Sequence, residues 1–97
     1  MTNPKEISTI KVKIASVNMD RAIIRFQNVG NKVIYIKKIP LGKSTTSISD
    51  SNYQIKLNAD PGNSGKGDFF ETNSVNAFVA ISENPGSELS IYETKYI

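Results

Sequence analysis

Apolar and polar residues alternate with a period of two along most of this chain. Between Ser8 and Val17, Ile10, Val12 and Ile14 alternate with Thr9, Lys11 and Lys13. This is the pattern of a half-buried β-strand. After a turn at Asn18-Met19-Asp20, the residues Ala22, Ile24 and Phe26 alternate with Ile23, Arg25 and Gln27 in a second strand. Asn28-Val29-Gly30-Asn31 reads as a hairpin connection, with Gly30 and Asn31 suited to positive φ. Val33 to Ile39 is apolar on both faces and predicts a central strand, which Pro40 ends or places at an edge. A polar connection, Leu41 to Asn52, has room for a short strand near Thr46–Ile48. Tyr53, Ile55 and Leu57 mark a further strand, and Phe69-Phe70-Glu71 begin a short one. Val75 to Ser82 forms an apolar strand. The turn Glu83 to Ser87 then leads to Leu89–Ile97, expected as its hairpin partner.

No segment has helical spacing, so the pattern predicts an all-β chain. Six to eight strands with turns every 8–12 residues point to a single small antiparallel β-sandwich, jelly-roll or immunoglobulin-like. A length of 97 residues fits one domain. The polar start predicts a flexible arm over residues 1–7 and the sandwich over residues 8–97.

Composition removes most catalytic chemistry from consideration. The chain has no Cys, no His and no Trp. It therefore has no Ser-His-Asp triad, no thiol nucleophile, no zinc site of the usual kind and no disulfide. Nothing singles out a carboxylate pair for glycoside hydrolysis, and the expectation is a protein that is not an enzyme and needs no cofactor. The start MTNPKEIST shows no signal-peptide pattern, no apolar run reaches membrane-span length, and none of the ten Asn residues lies in a glycosylation sequon.

The net charge of +3 hides an asymmetry. Ten basic and three acidic residues through Lys56 give +7, while two basic and six acidic residues from Leu57 onward give −4. If the halves separate in space, the molecule is dipolar and suited to contacts between copies. Lys11, Lys13, Arg25, Lys37 and Lys38, with Phe26 and Tyr35, could line a nucleic-acid-binding sheet. The spacing of the aromatics does not match an RNA-reading strand, so nucleic acid is not the expected partner.

Two constellations remain. The segment GNSGKGD lacks both ends of a phosphate loop. Counted from Asp60, however, DPGNSGKGDFFE places Asp60, Ser64, Asp68 and Glu71 at calcium-loop ligand positions, with Gly65 at the sharp turn. Gly62 replaces one ligand, and the flanking segments are strands rather than helices. The second constellation is aromatic: Phe69, Phe70, Tyr92 and Tyr96, with Ile97, form a candidate partner-contact set. Adjacent strand residues face opposite ways, so one of Phe69 and Phe70 requires a surface outside the core.

IRFQNVGNKVIYIKKI and AFVAISENPGSELSIYETKYI resemble segments of small β domains from bacteriophage virions, of the capsid-decoration, vertex or fibre-head type. The resemblance implies a structural protein of a virion, made in the host cytoplasm. Its partners would be copies of itself and other virion proteins. It carries over no catalytic or ligand residue. A carbohydrate- or receptor-binding β module, with Tyr and Phe stacking on sugar rings, is the alternative. A planar row of solvent-facing aromatics would favour it.

Overall fold

A computed structural model describes residues 4–62 and 65–96. Eight strands form two antiparallel four-stranded sheets: β1 (Lys5–Ile7), β2 (Val12–Ala15), β3 (Arg21–Asn28), β4 (Ile34–Lys38), β5 (Ile55–Leu57), β6 (Phe69–Thr72), β7 (Phe78–Ser82) and β8 (Ser87–Lys95). Sheet A has the order β1-β8-β3-β6 and sheet B the order β2-β7-β4-β5. Successive strands change sheet at every connection except β4 to β5. That alternation is the connectivity of an eight-stranded jelly roll. In immunoglobulin order the first two strands share a sheet, and here they do not.

The expected all-β sandwich is therefore the fold, while several connections differ from the sequence reading. β3 and β4 are not a hairpin, and β8 pairs with β1 and β3 rather than with β7. Turn residues mark where the chain reverses, but not which sheet it re-enters. Ile10 is 76% exposed because Ser8–Lys11 is the crossover from β1 in sheet A to β2 in sheet B. The expected flexible arm is also corrected over Lys5–Ile7, which pairs with Ser87–Leu89, and Ile7 is fully buried in the core. Burial of that isoleucine outweighs the polar character of its neighbours. Residues 1–3 lie outside the described residues.

The core lies between the sheets. Ile24 and Phe26 of β3, Ile34 and Ile36 of β4, Phe78 and Ala80 of β7, and Leu89 of β8 are its centre. The rings of Phe26 and Phe78 meet edge to face at 5.2 Å, which adds a favourable quadrupole contact to the burial. β4 and β7 are the inner strands of sheet B, as their two-sided apolar pattern requires.

Buried polar residues tie down both ends of β3. Arg21 is 2% exposed, turned inward at an irregularity in the β3–β8 register. Its Nε donates to Glu93 at 2.6 Å. One terminal nitrogen donates to the carbonyls of Ser74 and Asn76, and the other to that of Ser16, each at 2.8 Å. The rigid guanidinium fork thus joins three segments at one end of the sandwich. At the other end the fully buried Asn28 donates to the carbonyls of Lys32 and Leu57, and its Oδ1 accepts from the Gly30 amide. Gly30 is required by close approach rather than positive φ: a Cβ there would lie 2.4 Å from the Glu88 amide nitrogen.

The Arg21–Glu93 pair makes stability depend on pH. Burial by itself would raise the Glu93 carboxyl. Hydrogen bonds from Arg21 and Asn18, with the charge of Arg21, nevertheless hold it below the ordinary glutamate value. A depressed folded value means that the contribution is complete above the unfolded value of about 4.3 and is lost as pH falls through the lower folded value. Thermal unfolding of the wild type and Glu93→Gln should therefore differ clearly at pH 7 and converge toward pH 3. A difference that stays constant over that range would contradict this account.

The outer face of sheet B is covered by the chain's own β4–β5 connection. Lys37 Nζ donates to the Ser47 carbonyl at 2.9 Å and to Asn52 Oδ1 at 2.8 Å, and Lys11 Nζ donates to the Thr46 carbonyl at 3.0 Å. Tyr53 packs on Tyr35 at 4.7 Å between ring centroids. Ile48 joins Ile39, Ala77 and Val79 in a second apolar cluster. The strand expected near Thr46–Ile48 does not form; the segment makes a bridge between Ser49 and Asn52 instead. Its polar side chains meet solvent while its backbone and Ile48 seal the sheet. No helix among the described residues is long and apolar enough to cross a membrane.

Candidate functional site

The outer face of sheet A has no such cover. Because Ile24, Phe26, Phe70, Leu89 and Ile91 point into or against the core, alternation turns Arg25, Gln27, Phe69, Glu71, Ser90 and Tyr92 outward. Register arranges them as a grid. Phe69, Gln27 and Ser90 form one row across β6, β3 and β8, and Glu71, Arg25 and Tyr92 form the next. Ile23 and Thr94 lie opposite each other beyond them.

Two aromatic side chains stand out from this face, Phe69 at 56% and Tyr92 at 62% exposure. The Arg25 guanidinium lies 4.1 Å from the centre of the Phe69 ring, a cation–π stack. Arg21–Glu93 accounts for ion pairing among the described residues, so Arg25 is not neutralised by a carboxylate in contact. Gln27 Nε2 donates to the Gly67 carbonyl at 3.2 Å, which fixes its amide and leaves the oxygen toward other donors. Between β3 and β8, Arg25, Gln27, Ser90 and Tyr92 line a shallow open depression of about 350 Å³. A larger hollow of about 440 Å³, beside Lys13, Val17 and Asn18, ends on Glu93. That carboxylate is already engaged by Arg21 and Asn18.

The predicted site residues separate. Phe69 faces out, while Phe70 packs against the core opposite Phe26. Tyr92 shares the face of Phe69. Tyr96 is 70% exposed and its amide donates to the Asp20 carbonyl, beside exposed Val17 and Met19 at the end of the sandwich. Ile97 and Ser64 lie outside the described residues. Of the calcium-loop residues, Asp68 accepts from the backbone and side-chain amides of Asn58, Asp60 has a partner of its own, and Glu71 sits in β6 beside Arg25. Among the described residues, no group of three or more acidic, His or Cys side chains is placed to hold a metal ion.

The basic stripe does not assemble. Phe26 is core, Tyr35 is buried under Tyr53, and Arg25 lies on the sheet opposite Lys13, Lys37 and Lys38. Charge does divide between the sheets, although not as +7 against −4. The strands of sheet B carry four lysines (Lys13, Lys37, Lys38, Lys56) and no acid, while those of sheet A carry four charges of each sign. Sequence reasoning missed Arg25, Gln27 and Ser90 as neighbours of the aromatics. Parity along β3 placed Arg25 and Gln27 opposite Phe26, but only the pairing of β3 with β6 and β8 brings them beside Phe69 and Tyr92.

Comparison of the chain with protein-family models, curated proteins and solved structures finds no match.

Proposed function

We propose that this chain is a non-enzymatic structural subunit of a phage-like particle, acting through contacts with copies of itself and neighbouring virion proteins. The observation that carries the reading is the eight-stranded jelly-roll connectivity, an architecture used by viral capsid and lectin domains. This is support by analogy of fold. Val17, Met19 and Tyr96 add a local feature: each is exposed, and the backbone of Tyr96 is bonded to Asp20, the neighbour of Met19, at the β2–β3 turn. Exposed apolar side chains brought to one turn are candidates for a contact surface. The four edge strands have only three or four residues each. Such short edges give little template for strand addition, so the contact falls to side chains.

Sedimentation velocity over a range of concentrations tests this. The expected result is a defined oligomer that Met19→Glu with Tyr96→Glu returns to a monomer of unchanged circular dichroism. A wild-type monomer at every concentration would remove the self-contact from the proposal.

The second reading is a carbohydrate- or receptor-binding module. The specific observation in its favour is that Phe69 and Tyr92 face solvent on one sheet.

A further inference from the structure

We propose that the outer face of sheet A is a binding site for a neutral oligosaccharide, centred on the depression between β3 and β8. The inference rests on the second reading above and assigns its ligand class and residues. A sugar ring presents an apolar C–H face and a rim of hydroxyls that both donate and accept. A site for it needs an exposed flat ring beside fixed polar groups of both kinds. Tyr92 supplies the ring, standing free of the sheet at the edge of the depression. Arg25 supplies up to five donors in one plane, Gln27 and Ser90 supply oxygens, and all three line the same depression.

Preorganisation distinguishes this group from a chance scatter of polar residues. Arg25 is held over the Phe69 ring at 4.1 Å, and Gln27 is fixed through the Gly67 carbonyl. Less rotamer freedom is then lost when a ligand binds. Phe69 is a positioning residue that acts through Arg25.

Charge selects a neutral ligand. Glu71 sits directly across from Arg25 in the register, and the strands of sheet A carry equal numbers of each sign. The strands of this sheet thus carry no net charge to draw an acidic chain, whereas those of sheet B carry lysines and no acid.

Calorimetric titration of the full chain with neutral glucan, mannan and galactan oligosaccharides, and with uronate chains as the acidic comparison, tests the proposal. At least one neutral chain should bind, and Tyr92→Ala should weaken it by about tenfold. Arg25→Lys keeps the charge but loses the planar fork, and should also weaken binding. Phe69→Ala should do the same, with recovery in Phe69→Tyr. Tyr96→Ala, at the end of the sandwich, should leave binding unchanged. Binding of uronates alone would overturn the neutral class while leaving the carbohydrate reading intact. Neutral binding indifferent to Tyr92→Ala would overturn the site. No binding to any chain would overturn both, and self-association abolished by Tyr92→Ala would assign the face to a second copy instead.

Discussion

Arg21→Ala is expected to destabilise the protein by about 3 kcal/mol, the lower end of the cost of breaking a buried ion pair. The lower end applies because the Glu93 side chain is 34% exposed, whereas that of Arg21 is 1% exposed. Removing the guanidinium leaves Glu93 without its cation and takes the donors from the carbonyls of Ser16, Ser74 and Asn76. For a domain whose total stability is on the order of 5–15 kcal/mol, that is a large share. Urea unfolding at pH 7 should show a much lower midpoint with an unchanged slope. Arg21→Lys should recover little, because an ammonium cannot reach segments lying in three directions with fork geometry. A loss below about 1 kcal/mol for Arg21→Ala would show that water replaces these bonds at no cost.

Asn28→Ala should have an effect of similar size. Its two donors serve the carbonyls of Lys32 and Leu57, and its acceptor serves the Gly30 amide. Each buried group left unpaired costs about 1–3 kcal/mol. A fall in melting temperature of about 12 °C or more follows for a domain of this size. Asn28→Asp is the sharper probe, since it keeps the size and the acceptor but replaces the donor by a carboxylate oxygen facing the two carbonyl oxygens of Lys32 and Leu57. It should be as damaging as alanine at neutral pH. An aspartate variant with the melting temperature of the wild type would remove Asn28 from its place as the tie between these loops.

Both residues show where the sequence was legible and where it was not. The strands were readable because burial follows pattern: Ile14, Ile24, Phe26 and Leu57 are core residues that period-two spacing identifies, while Ile34, Ile36 and Phe78 lie in runs apolar on both faces. Arg21 stood at the edge of a turn and counted only as one basic residue, and Asn28 read as an ordinary turn former. Their roles come from partners 5 to 72 positions away for Arg21 and 2 to 59 for Asn28, and no local pattern carries that information. Phe69 and Phe70 were legible as a pair facing opposite ways. Which of them faced solvent depended on the pairing of β6 with β3. The Ser/Thr-rich connection looked like a solvated loop. Its role as a cover depends on Ile48 and the lysines that grip its backbone, which single-strand patterning does not connect.

The covered face of sheet B gives the molecule two unlike broad sides. A subunit with one closed side has a defined front and back. Copies related by rotation about an axis normal to the sheets would all turn Phe69 and Tyr92 the same way. A shallow depression of this size holds a single ligand unit weakly, yet a display of many copies on one side multiplies contacts with a repeating chain. Avidity gains on the order of 10²–10⁴ require no new contact, only simultaneous engagement. By closing one face with its own chain, the protein would leave every copy of an array oriented for the same encounter.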